Sequence, residues 1–209
     1  MINYKGYPNT YKKFLKTFIM WFEVKYYLYT EDGILYDYTI NPVIIPLNKN
    51  LFIKEIEENL KNVEVGKVYE FLIKKPYGER SESLIKIIPI SEFYKRNITP
   101  VVGMIIDVDG SRGIIRSINS GRVIVDFNHP LAGKDLIFRI EILRQVNDLK
   151  ERIVGILSYL FRIERNKIDV DIKENEKKVI VKGIEINDKV KEIIKRYVDE
   201  IKDFDIVKE

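Results

Sequence analysis

Apolar positions change their spacing several times along the chain, and each change marks an element. Phe22, Val24, Tyr26 and Leu28 alternate, imperfectly, with Glu23, Lys25 and Tyr27, which is the two-residue period of a strand. Thr30-Glu31-Asp32-Gly33 then supplies a turn ending in Asp-Gly, and Ile34 to Tyr38 returns as a second strand, so a hairpin is predicted. Phe52, Ile53, Ile56 and Leu60 recur at helical spacing, predicting a short amphipathic helix over 52–61. Glu64-Val65-Gly66-Lys67 turns the chain into a strand over Val68–Ile73. Residues before about 18 show no period and read as an N-terminal extension.

From Ile85 the pattern shortens into strands set off by Gly103, Gly110, Gly113 and Gly121. Met104–Val108, Gly113–Ile118 and Arg122–Phe127 read as three strands of a small barrel or meander. Leu136–Leu143 alternates as a further strand. Asn147-Asp148 is placed to cap a helix whose Leu149, Ile153, Ile156, Leu157 and Leu160 share one face. Strands over 168–172 and 178–182 follow, and Asn187 caps a last amphipathic helix with Val190, Ile194, Tyr197 and Ile201 inward. Residues 147–209 therefore read helix–strand–strand–helix, a small core for which docking or dimerisation is expected.

Composition narrows the chemistry. At 45% hydrophobic and 33% charged, the 209-residue chain reads as soluble and globular, long enough for one large domain or two to three small ones. A net charge of +4 is too small to argue for nucleic acid. The absence of Cys excludes disulfides, thiolate metal sites and thiol nucleophiles, and the single histidine, His129, excludes any two-His ligand set. No metal and no cofactor is expected. The apolar run Thr17–Phe22 is far shorter than the ~20 residues a membrane span needs. It follows Lys12, Lys13 and Lys16, yet no small-residue cleavage site comes after it, so a cytoplasmic protein is expected.

No glycine pattern forms a phosphate loop and no serine sits in a nucleophile elbow. Prolyl isomerisation needs neither. Its ~18–20 kcal/mol barrier is amide resonance. Water stabilises the planar, charge-separated amide, so an apolar pocket favours the twisted bond, and a donor on a neighbouring carbonyl adds to this. A chain with 13 Tyr, 10 Phe and one Trp can wall such a pocket.

The segment Ser120-Gly121-Arg122-Val123-Ile124-Val125-Asp126-Phe127-Asn128-His129-Pro130-Leu131-Ala132-Gly133-Lys134-Asp135-Leu136-Ile137-Phe138 resembles the SlyD-type FKBP peptidyl-prolyl cis-trans isomerases, in which an Asn-His-x-Leu-Ala-Gly-Lys run leaves an inserted domain for the last strand. Thr30-Glu31-Asp32-Gly33 with Asp37, Glu64-Val65-Gly66, and Pro76-Tyr77-Gly78-Glu79-Arg80 keep the family's order over about 22–143. The tail resembles the extra domain of long archaeal members. The resemblance implies an α+β fold in four stretches. These are an extension (1–20), an antiparallel FKBP half-barrel with a short helix (21–83 and 130–146), an all-β domain inserted in the flap (84–129), and a C-terminal αββα domain (147–209).

It also implies roles. Tyr26, Asp37, Tyr77 and Phe138 fall on pocket-lining positions, with the Tyr77 hydroxyl offered to a substrate carbonyl and Asp37 orienting the polar edge. Tyr36, Phe52, Ile53 and Ile56 complete the pocket, Leu131 and Ala132 lie near the flap's return, and Phe93 and Tyr94 belong to core or to a client-binding groove. His129 marks the domain junction. The implied partners are unfolded or nascent chains and proline-containing peptides, with no membrane and no nucleic acid, and a homodimer through the C-terminal domain. That domain is expected to be dispensable for chemistry on peptides.

Two departures stand out: Asn48-Lys49-Asn50 replaces a glycine-rich approach, and Glu55 replaces a glycine before the pocket floor, where an inward turn would narrow the pocket. A non-catalytic chaperone with a degenerate pocket is therefore the alternative. A small RNA-binding barrel using Arg112, Arg116 and Arg122 is a third reading.

Overall fold

The computed structural model describes residues 20–209, so the extension read for residues 1–20 lies outside them except for Met20. The fold is α+β, with three mostly antiparallel sheets and few helices among the described residues. The chain groups into two compact units, one made of residues up to Phe71 with Ile137–Glu209, the other of Leu72–Leu136. The expected domain limits at 84 and 129 fall inside the second unit, and residues 147–209 belong to the first.

The first unit starts with β1 (Trp21–Thr30), which alternates buried Phe22, Val24 and Tyr26 with more exposed neighbours. The turn at 30–33 closes as expected. Gly33 adopts φ +81°, donates to the Thr30 carbonyl at 2.8 Å, and hands the chain to β2 (Leu35–Tyr38). A strand that the sequence reading passed over, β3 (Val43–Pro46), pairs antiparallel with β1 in the register Phe22↔Ile45 and Val24↔Val43. Val43, Ile44 and Ile45 are three apolar residues in a row between Pro42 and Pro46 and show no alternation, and proline is confined to the edges or ends of strands. The predicted helix forms as α1 (Lys54–Asn59), and β4 (Val68–Ile73) follows.

In the second unit β5 (Ile85–Pro89), a one-turn helix α2 (Ile90–Tyr94), β6 (Ile105–Val108), β7 (Ser111–Asn119) and β8 (Arg122–Asp126) give a sheet ordered β5-β8-β7-β6. Its core is Phe93, Ile115, Val123 and Val125. The three predicted strands are there; α2 was not anticipated.

The chain returns to the first unit in β9 (Leu136–Gln145), which lies between β1 and β4. Asp148 caps α3 (Leu149–Phe161), accepting from the Glu151 amide at 2.7 Å. β10 (Asp169–Lys173), β11 (Lys178–Lys182) and α4 (Asp188–Tyr197) follow, with Asn187 accepting from the Val190 amide. One strand more than the expected αββα is present: β12 (Asp205–Lys208) pairs parallel with β11. This segment docks. Ile153, Ile156, Leu157, Val170, Val181 and Ile194 share one buried core with Trp21 of β1 and Ile44 of β3.

Candidate functional site

Alternation along two strands places the first two aromatics. Tyr26 on β1 and Phe138 on β9 point to the same side of the sheet, both buried, with ring centroids 5.6 Å apart. Phe52 comes from the chain entering α1. Its ring meets Tyr26 edge-on at 5.4 Å and Phe138 at 5.1 Å. Rings at these spacings touch. Ile56 is buried on the inner face of α1, and Ile53 is half-buried at the helix's start.

The approach to this cluster explains one departure. Asn48 and Asn50 have φ of +66° and +54°, the left-handed region that favours glycine, and asparagine is among the few other residues that enter it readily. The backbone path thus survives the loss of glycine. Glu55, in contrast, lies on the exposed face of α1 and does not make the inward turn that would narrow the pocket. The carboxylate that does turn in is Glu57, which is buried. Its Oε1 accepts from the Leu51 and Phe52 amides at 2.8 and 3.1 Å, fixing the backbone that carries the Phe52 ring.

The polar edge is built on Tyr26. Its hydroxyl donates to Asp37 Oδ2 at 3.0 Å, while Asp37 Oδ1 accepts from the Tyr38 amide. Thr39 locks the strand beneath, its Oγ1 accepting from the Tyr26 amide at 3.0 Å. A further hydroxyl arrives from α3: Tyr159 Oη lies 3.0 Å from Tyr26 Oη, the two rings at 6.4 Å and steeply inclined. Tyr26 has one proton and gives it to Asp37, so the proton between the phenols belongs to Tyr159. Burial, then the neighbouring Tyr159 and the Asp37 carboxylate, push the Tyr26 pKa far above its ordinary value. Burial likewise raises that of Tyr159. Both phenols are neutral donors at neutral pH.

Beside this triad opens a groove of about 810 Å³. One wall is the 36–43 segment, with exposed Tyr36, Tyr38 and Ile40; the other is the end of α3 and the residues after it. Arg165 braces the walls, donating to Glu23 Oε1 at 2.7 Å and to the Pro42 carbonyl at 3.2 Å. Burial works to raise the Glu23 pKa, but hydrogen bonds from Arg144 and Arg165 outweigh it and hold the carboxyl below its ordinary value.

The remaining candidates belong to the second unit. The Tyr77 ring stacks on His129, 4.0 Å between centroids and 7° from parallel, and His129 Nδ1 accepts from the Leu131 amide. Leu131 and Ala132 are buried. Phe93 is core, whereas Tyr94 is exposed, as are Val101, Val102 and Ile105. Asp126 anchors this unit. Almost wholly buried, it accepts from Arg80, from Arg116 Nε at 3.2 Å, and from Asn128 through both its amide and its side chain. Burial pulls its pKa upward, but these donors win and bring it down to about 2. Arg116, read as a phosphate contact in the RNA-binding alternative, is spent on this pair.

Known proteins resemble this sequence over part of its length. The chain is 33% identical to the FKBP-type 16 kDa peptidyl-prolyl cis-trans isomerase of Escherichia coli over 130 residues, covering 57% of this chain and 87% of that protein. The chain belongs to the FKBP-type peptidyl-prolyl cis-trans isomerases. Within that family it is SlyD-like: it is 32% identical over 129 residues to the isomerase SlyD of Pasteurella multocida, covering 57% of this chain and 63% of SlyD. A short-type isomerase of Methanocaldococcus jannaschii is 35% identical over 103 residues, 48% of this chain and 66% of that protein. The chain thus spans a little under two thirds of these last two relatives. Residues 86–131 match the family described as FKBP26, IF domain, entirely within the second unit of this FKBP-type chain. No helix among its described residues is long and apolar enough to cross a membrane.

Of the residues that the resemblance gave to the site, the structure brings Tyr26, Asp37, Phe52 and Phe138 together, buries Ile56 on α1 and sets Tyr36 in the groove's wall, while Tyr77, Phe93, Tyr94 and Leu131 belong to the second unit. The sequence reading missed Tyr159, Glu57 and Arg165. Gly155 in the middle of α3 was the available signal, since glycine there costs about 1 kcal/mol against alanine and calls for a packing reason.

Proposed function

We propose that this chain isomerises X-Pro bonds in unfolded protein chains, binding the bond in the groove beside Tyr26 and Asp37. The observation that carries this is the hydroxyl–carboxylate pair itself, set on the touching rings of Phe52 and Phe138 and open to a groove large enough for several residues. Apolar surface against the bond favours the twisted amide over the planar one; Tyr36, Tyr38, Ile40 and Val43 supply it in a groove that also carries polar side chains, and the Asp37 carboxylate fixes the direction in which the Tyr26 hydroxyl points. Nothing in this chemistry calls on a nucleophile or a metal.

The second unit supports a holding role in the same reading. Val101, Val102 and Ile105 are each more than half exposed, and a groove of about 230 Å³ lies among Ile88, Phe93, Ile98 and Ile106. A patch of this kind on a small domain suits reversible contact with unfolded chain. We take residues 84–129 as the client-holding insert and the cytoplasm as the place of action.

A non-catalytic chaperone is the second reading, and one observation favours it. The Tyr26, Phe52 and Phe138 rings touch and leave no slot among them for a pyrrolidine ring. A protease-coupled assay on a proline tetrapeptide separates the two. Isomerase action requires measurable kcat/KM in the full chain and about a tenfold loss in Asp37→Ala, the size of one charge-assisted hydrogen bond. No turnover above background in the intact chain leaves only the chaperone.

A further inference from the structure

We propose that Tyr159 is a catalytic residue of the prolyl site, the hydroxyl that holds the carbonyl of the bound substrate, supplied by α3. This rests on the groove beside Tyr26 and Asp37 being where proline binds.

Three observations converge on it. Tyr159 Oη lies 3.0 Å from Tyr26 Oη, and Tyr26 has already committed its proton to Asp37. Of the two bonds in this chain, the one into a carboxylate is charge-assisted and the stronger. The Tyr159 bond, phenol to phenol, is the one a substrate can replace. A carbonyl entering the groove only accepts, and the Tyr159 proton reaches it by rotation about the Cζ–Oη bond. One acceptor is exchanged for another, and Tyr26 keeps its partner in Asp37.

The second observation is that Tyr159 holds its proton. Burial raises its pKa, so the group is a donor across the neutral range. The third is that its support is rigid. At Gly155, one turn before Tyr159, an added Cβ would lie 2.5 Å from Ile44 Cβ, so α3 rides directly on β3. Ile153, Ile156 and Leu157 are fully buried around that contact. A hydroxyl mounted this way is placed as firmly as one on the sheet. The role was assigned by resemblance to Tyr77, whose ring is stacked on His129 in the second unit. The C-terminal segment, expected to be dispensable for peptide chemistry, contributes instead to one wall of the groove.

The test compares the full-length chain with Tyr159→Phe on a proline tetrapeptide, with thermal unfolding as a control. Losing one hydrogen bond that strengthens in the transition state should lower kcat/KM by about three- to tenfold, mostly in kcat, with the unfolding midpoint little changed. An active wild-type chain whose Tyr159→Phe form is equally fast overturns the assignment while leaving the isomerase reading intact. A faster variant overturns it too, making Tyr159 an obstruction. No activity in the wild-type chain removes both.

Discussion

Asp126 shows how much a single side chain carries. It is buried, charged, and satisfied by two guanidinium groups and Asn128. A carboxyl whose pKa falls on folding adds stability above its unfolded value and loses it as pH drops through the folded one. With a folded value of about 2 and an ordinary value of 3.8, the loss falls between about pH 4 and pH 2. Thermal melts of the wild type should fall across that window. Asp126→Asn should be less stable at neutral pH and show a shallower fall; an equally steep fall in the variant would assign the acid sensitivity elsewhere. None of this was visible in the sequence, where Asp126 is one acid among 32 acidic residues. Its partners come from Arg80 and Arg116, and only folding brings them together. Asn48 and Asn50 were noticed as departures, but that they keep glycine's backbone path needed the dihedral angles.

At the scale of elements, α3 is the piece that the sequence described well and placed poorly. Its start at Asn147-Asp148 and its buried face follow from the sequence, with Asp148 the residue that caps. Its partner does not, because helical periodicity says that a face is buried and not against what. The one informative residue is Gly155, whose contact with Ile44 sets how close helix and strand come. Gly155→Ala should gain helix propensity and still lose overall stability by about 1–3 kcal/mol, the usual cost of overpacking. Lifted from β3, α3 would also move Tyr159, so tetrapeptide turnover should fall in step. Chemical unfolding with a parallel activity assay reads both, and a variant more stable than wild type would show that the contact is loose. β3 and β12 escaped the sequence because four residues carry almost no period of their own and no Asp-Gly turn flags them, whereas Asp32-Gly33 and Asp109-Gly110 flag the equally short β2 and β6.

At the scale of the whole molecule, the sequence read three domains in the described chain, and the fold shows two units. The difference lies in residues 147–209. Alone they make a small core, and the chain enlarges it by merging it with Trp21 of β1 and Ile44 of β3. The second unit keeps its own small core and an exposed apolar patch, and under the proposed function it holds an unfolded chain while the first unit acts on its prolines. Tethering makes the second event intramolecular, so a modest site can work well on a held substrate. Short peptides have no tether. The most direct test of this account is the refolding of a protein whose slow phase is limited by a trans-to-cis prolyl bond, with the full-length chain present at a small fraction of the substrate concentration. The account expects the slow phase to accelerate in proportion to added chain, with a kcat/KM well above that for a tetrapeptide. A slow phase of unchanged rate, with or without suppressed aggregation, would contradict it.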